Sequence, residues 1–197
     1  DPEETLFTHT NGTVYVIDII GEIVEESYSS TISKSNIEKV QIGSTVTSIG
    51  IQAFHGCYVL QTLTMPDTIM IIDDYAFHSC SALQSVTISD NVTIIGDYAF
   101  SSCFALQSVT IGNSVTTIGF AAFVDSEALQ TVVIPDSVTS INEIAFGNSG
   151  ITTAYMNTST TNNLGLEFGR DQSFYGKTGV NISTLFAYEE DGIPSAI

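Results

Sequence analysis

Apolar positions recur along most of this chain at a fixed step of 23 residues. Phe54, Phe77, Phe100, Phe123 and Phe146 hold one such position, and Leu60, Leu83, Leu106 and Leu129 hold another. Cys57, Cys80 and Cys103 hold a third, which passes to Ser126 and Ser149. Each unit opens with a short alternating stretch: Leu63-Thr-Met65, Val86-Thr-Ile88, Val109-Thr-Ile111, Val132-Val-Ile134. That period of two predicts a strand with its aliphatic side chains inward and Thr outward. Turn-forming pairs follow, Pro66-Asp67, Ser89-Asp90, Gly112-Asn113 and Pro135-Asp136; Pro fixes φ and Asp or Asn bonds the nearby backbone. A second strand is predicted over 46–49, 69–72, 92–95, 115–118 and 138–141. Gly50, Gly96 and Gly119 end it where the chain bends. An Ala-Phe pair with a short polar stretch then predicts one helical or 3₁₀ turn, the Phe filling the core and the Ala allowing close packing. A period in the low twenties is that of a solenoid, in which each unit buries its apolar face against its neighbours.

The expected fold is therefore a β-rich solenoid of about five 23-residue coils, starting near Ile37, Leu60, Leu83, Leu106 and Leu129. The frame slips by one residue at Ile151, and Ile151–Met156 reads as a last first strand without its second half. Residues 1–36 are expected to form an N-terminal cap, with a strand within Val14–Ile20, a bend at Gly21 and an amphipathic piece around Glu22, Glu25 and Glu26. The solenoid itself spans 37–156. Residues 157–197 are expected to form a C-terminal cap and acidic tail, beginning with a Ser/Thr/Asn loop from Asn157 to Asn163. Caps are needed because a solenoid end exposes unpaired strand edges and an apolar cross-section.

The unit LxxVTIxxxVTxIGxxAFxxC, clearest in Ala82–Cys103 (ALQSVTISDNVTIIGDYAFSSC), resembles the BspA-type leucine-rich repeat, a family named after a bacterial surface antigen. The resemblance covers about residues 37–156. It implies a right-handed, curved leucine-rich repeat solenoid with the Val-Thr-Ile strand on its concave side. It also implies a secreted or surface-exposed protein associated with adhesion and protein binding, and it carries no catalytic motif. The Asn ladder of the ordinary leucine-rich repeat is absent, and the two caps lie outside the resemblance.

Charge narrows the partners. The chain has 22 Asp+Glu against 4 Lys+Arg, a net charge of -18. Such a surface repels phosphate backbones and anionic membranes, so no nucleic acid is expected as a partner. No apolar run reaches about 18 residues, so no membrane insertion through a helix is expected. The start Asp-Pro-Glu-Glu reads as a mature or trimmed form. Asn-x-Ser/Thr sequons at Asn11, Asn91, Asn157 and Asn181 are candidates for N-glycosylation. With the acidity and scarce Lys they favour a secreted or cell-surface glycoprotein.

Candidate chemistry is sparse. Cys57, Cys80 and Cys103 stack in register and point the same way, which is poor geometry for a disulfide. They read as buried free thiols, and no Cys or His spacing supports zinc. His55 and His78 share the slot after the core Phe; a catalytic or metal-binding pair is one reading, but Ser101, Val124 and Gly147 fill the slot later, so it reads as a variable exposed turn position. Asp67, Asp90 and Asp136 form one carboxylate series, with Asn113 among them, and Asp74, Asp97 and Glu143 form another. These series offer oxygens to calcium, yet turn formation and solubility explain them without it. No acid, base or nucleophile constellation appears, so no enzyme activity and no cofactor are expected.

The outward Thr/Ser array is the most informative surface. Thr62 and Thr64, Ser85 and Thr87, Ser108 and Thr110, then Thr131 with Val133, form two nearly uncharged columns. They read as the face of a recognition or adhesion module binding protein or glycan. Three other readings stand beside this one. They are a solvated face on which Thr is simply a good strand residue, a structural subunit of an extracellular filament or coat joined through its caps, and an ice-binding Thr array.

Overall fold

The structure, a computed structural model, describes residues 4–17, 20–25, 32–157 and 184–188. Strands β1 (Thr5–His9), β2 (Val14–Ile17) and β3 (Gly21–Ile23) come first, and the coil that starts at Ile37 supplies β4 (Ile37–Gln41) and β5 (Val46–Ile49). Each repeat then supplies a first strand, β6 (Thr62–Thr64), β8 (Ser85–Thr87), β10 (Ser108–Thr110) or β12 (Thr131–Ile134). Each also supplies a second strand, β7 (Ile71–Ile72), β9 (Ile94–Ile95), β11 (Thr117–Ile118) or β13 (Ser140–Ile141). Strands β14 (Thr153–Asn157) and β15 (Thr184–Tyr188) close the described chain.

First strands run side by side along one flank. β4 pairs with β6, β8 with β10, β12 with β14 and β14 with β15, all parallel. Second strands form a single parallel sheet in the order β13-β11-β9-β7-β5-β3. The result is a β-solenoid of about six turns. Its registers match the 23-residue step, with Val109 against Val86 and Ile118 against Ile95. The N-terminal stretch does more than the sequence indicated. β1 lies antiparallel on β4, and β2 antiparallel on β1. Gly21, expected to bend the chain, opens β3, which pairs with β5 and so begins the second sheet.

The third flank differs from the expected helical turn. The Ala-Phe segment is a run of tight turns in which two residues of each coil adopt left-handed backbone. One series is Gln52, Tyr75, Tyr98, Ala121 and Ile144; the other is Gly56, Ser79, Ser102, Asp125 and Asn148. Left-handed residues prevent a helix, and the turned peptides aim N–H groups at the next coil instead. The N–H groups of Tyr98, Phe100 and Ser102 donate to the carbonyls of Phe120, Ala122 and Val124 at 2.7–2.8 Å. Non-glycine residues in this region cost about 1–2 kcal/mol each; the bonds and the packing of the flank offset that cost. Gly119 is needed for space rather than for its φ, since a Cβ there would lie 2.5 Å from the Gly96 carbonyl carbon.

The core lies inside the three flanks. Phe54, Phe77, Phe100, Phe123 and Phe146 are fully buried, and successive rings lie 5.1–5.3 Å apart with planes within 9°. That spacing is close to the 4.7–4.9 Å between sheet strands and inside the range aromatic pairs favour. Cys57, Cys80 and Cys103 are buried free thiols, as the sequence suggests. The Cys80 thiol donates to the Phe54 carbonyl at 3.3 Å and the Cys103 thiol to the Phe77 carbonyl at 3.4 Å. Ser126 repeats this bond, its hydroxyl donating to the Phe100 carbonyl. Serine thus takes over the slot because the slot needs a small donor.

Two predictions follow from this core. Phe100 stacks on both Phe77 and Phe123, so Phe100→Ala should cost about 3–5 kcal/mol in urea unfolding, whereas Cys103→Ser should cost less than about 1.5 kcal/mol. Equal losses would contradict the stacking account. Burial also pushes the Cys103 thiol up to about 12 from its ordinary 9.0, partly opposed by a backbone hydrogen bond. Between those values the unfolded chain loses a proton that the folded chain keeps, so stability falls as pH rises through this window. In Cys103→Ser the unfolding free energy should decline less steeply above pH 9.0 than in the parent chain; identical slopes would show that the buried thiol contributes nothing.

Candidate functional site

Strand pairing decides which outward residues meet. Lys39 lies beside Thr62, Ser85 beside Ser108, and Thr131 beside Thr153. In the neighbouring column Gln41 lies beside Thr64, Thr87 beside Thr110, and Val133 beside Tyr155. The structure therefore brings the expected residues onto one flank. Thr62, Thr64, Ser85, Thr87, Ser108 and Thr110 are exposed and Thr131 is half-buried, while Val86, Val109 and Val132 between them point into the core.

A third column stands beside these two. Gln61, Gln84, Gln107 and Gln130 are all exposed and recur at the 23-residue step. Their backbone continues the ladder: the Gln61 N–H donates to the Glu38 carbonyl and the Gln107 N–H to the Gln84 carbonyl, each at 2.8 Å. Sequence reasoning passed over them because glutamine marks neither core, turn nor motif. Their strict spacing was the signal that could have found them. Amide and hydroxyl groups together offer both donors and acceptors across the flank.

The second-sheet flank also carries outward threonines, just before β9, β11 and β13, but in a different state. The hydroxyls of Thr93, Thr116 and Thr139 donate to the carbonyls of Met70, Thr93 and Thr116 at 3.1–3.2 Å. Each is thus engaged with the preceding coil. Exposed Met70, Ile71 and Ile94 make this sheet the more apolar one. The hydroxyls on the first-strand flank make no such bonds among the described residues.

The carboxylate series are engaged in the backbone. Asp74 Oδ1 accepts the Asp97 N–H and Asp97 Oδ1 accepts the Phe120 N–H, both at 2.7 Å. Asp90 Oδ1 accepts the Asn113 N–H at 2.8 Å. Each carboxylate thereby closes the turn of the following coil, the role expected of turn residues. Among the described residues no group of three or more His, Cys, Asp and Glu side chains comes together as a metal cluster. No described helix is long and apolar enough to cross a membrane.

His55 and His78 come together, their ring centres 5.0 Å apart. Tyr75 meets His78 edge-on and stacks on Tyr98. Burial lowers the His78 pKa from its ordinary 6.5, with the neighbouring His55 acting in the same direction. Among the sequons, Asn11 is exposed at the β1–β2 turn and its Oδ1 accepts the Thr13 N–H. Asn91 is exposed and its Nδ2 donates to the Asp67 carbonyl at 2.6 Å. Asn157 is the last residue of β14, and Asn181 lies outside the described residues.

Comparison with known proteins agrees with this architecture. No curated protein matches the chain. The chain is similar in structure to the T. pallidum leucine-rich repeat protein, at 20% identity and a TM-score of 0.61, over 82% of this chain and 77% of that one. It is similar to the pneumococcal vaccine antigen PcpA at 19% identity and a TM-score of 0.58, over 76% of this chain and 38% of that one. A leucine-rich repeat protein from Bacteroides ovatus is 20% identical with a TM-score of 0.47; 80% of this chain spans 58% of its length. The first two likenesses show the fold. A family model, BspA type leucine-rich repeat region, matches residues 25–161 in 6 copies, beginning earlier than the repeat visible by eye. The chain belongs to the BspA type leucine-rich repeat family.

Proposed function

We propose that the chain is a secreted or cell-surface recognition module that binds a protein or glycan partner through the outer flank of its first strands. The observation that carries this reading is the contrast between its two threonine faces. On the second-sheet flank the hydroxyls of Thr93, Thr116 and Thr139 are already bonded to the preceding coil. On the first-strand flank Thr62, Thr64, Ser85, Thr87, Ser108 and Thr110 keep theirs exposed beside exposed Gln61, Gln84 and Gln107. Polar groups left in water on a rigid, regular surface can exchange water for a ligand without unfolding anything. Six adjacent strands at about 4.8 Å span roughly 25 Å, enough for several sugar rings or an extended peptide.

Lys39 and Gln41 at one end and Tyr155 at the other vary the face along its length. That variation favours a shaped partner over a repeating lattice such as ice. The family is named after a surface antigen, and one similar structure is described as a vaccine antigen; both support a surface location.

The test is a screen of the intact chain against immobilised glycans and extracellular proteins, followed by paired variants. Thr87→Arg with Thr110→Arg should weaken binding to any partner found by at least tenfold, and Thr93→Arg with Thr116→Arg should leave it nearly unchanged. Binding that survives the first pair, or is lost equally with the second, would move the site elsewhere.

A further inference from the structure

We propose that His55 and His78 form a binding site for one divalent transition-metal ion of the class that favours imidazole, such as Ni²⁺, Cu²⁺ or Zn²⁺. The argument begins with spacing. Two imidazoles on one ion place each nitrogen about 2.1 Å from the metal and each ring centre about 1.1 Å further out, so angles from 90° to tetrahedral separate the ring centres by roughly 4.5–5.2 Å. The His55 and His78 ring centres are 5.0 Å apart, with planes inclined at 43°.

A second observation is independent of the spacing. Among the described residues, His78 Nδ1 is buried and has no hydrogen-bond partner. Buried polar atoms without partners are uncommon, and each calls for an explanation. An ion held between the two rings supplies the partner that this nitrogen lacks.

The backbone also presents the pair in a fixed pose. The His55 N–H donates to the Gln52 carbonyl, the His78 N–H to the Tyr75 carbonyl, and the Gly56 N–H to the His78 carbonyl, at 2.9–3.1 Å. Tyr75 holds the His78 ring from its edge, with ring centres 5.7 Å apart. Desolvation favours neutral His78, the form that ligates metal. A net charge of -18 concentrates cations around the molecule. Among the described residues no third His, Cys, Asp or Glu completes a cluster, so water fills the remaining positions and the expected affinity is modest. Imidazole ligands select this class of ion over calcium or magnesium, which prefer oxygen.

The test uses the full chain, titrated calorimetrically with Ni²⁺ and examined by electron paramagnetic resonance with Cu²⁺. We expect one ion per chain and a Cu²⁺ spectrum showing two nitrogen ligands. His55→Ser and His78→Ser should each weaken binding at least tenfold and leave one nitrogen. Serine occupies the same slot naturally at Ser101, so both variants should fold. His9→Ser should change nothing, because His9 is the last residue of β1 and its Nδ1 accepts the Asn11 N–H. A parent spectrum without nitrogen ligands would overturn the proposal whatever the variants do. So would unchanged affinity in both single variants, which assigns the binding to diffuse carboxylates, or an equal loss in His9→Ser, which shows that the loss is not specific to the pair.

Discussion

Each coil of this protein must rise by the hydrogen-bonding distance of a parallel sheet, because all three of its flanks are bonded to the next coil. Everything else answers to that step of about 4.8 Å. A side chain at a given slot stands directly over its equivalent one coil earlier. A slot is therefore occupied only by groups that tolerate their own kind at contact distance. Phenylalanine does so by stacking, and the Phe column runs through the core without interruption. Cysteine and serine do so because each donates to a carbonyl of the preceding coil rather than to its own copy. Aspartate does so at Asp74 and Asp97 because the N–H of the following coil lies against the carboxylate and offsets the repulsion between stacked like charges.

That constraint explains which parts of the structure the sequence revealed. The period, the two strands of each coil, the Phe core and the register of the outward columns all depend on side-chain character repeating at 23 residues, and they were readable. The third flank was not. Its left-handed positions are held by Gln52, Tyr75, Tyr98 and Ser102, none of which announces positive φ as glycine would. Gly56, Asp125 and Asn148 are residue types that tolerate that conformation, but Ser79 and Ser102 stand between them in the same series and give no hint of it. The conformation is imposed by bonds to the next coil, which no local propensity encodes. β3 escaped notice for a related reason. It is three residues long, and Gly21 is an unusual way to begin a strand, yet its pairing with β5 makes it part of the second sheet.

The candidate site was readable in one part and hidden in another. Alternation placed Thr62, Thr64, Ser85, Thr87, Ser108 and Thr110 outward, and they are outward. Alternation could not separate these hydroxyls from those of Thr93, Thr116 and Thr139, which look equivalent as letters. The difference lies in where each donor points, and that depends on the position of the carbonyl one coil away. The Gln column was passed over for the opposite reason: its side chains carry no structural role that a pattern of apolar residues would expose. The shared slot of His55 and His78 was legible without the contact between their rings.

The Gln column and the histidine pair point to a general property of the architecture. Because the coils are fastened through backbone bonds and a buried column, outward slots are nearly independent of the fold. The slot that holds His55 and His78 holds Ser101, Val124 and Gly147 in later coils, and the coil geometry does not change. A substitution in such a slot alters the surface chemistry and leaves the step between coils intact. Two adjacent coils carrying the same residue then place a matched pair about 5 Å apart without any further design, as the histidine rings show. Pairs and columns of like side chains are thus the natural units from which a solenoid of this kind builds binding sites. Recognition in this protein is better sought in such columns than in the isolated residues that mark an enzyme's active site.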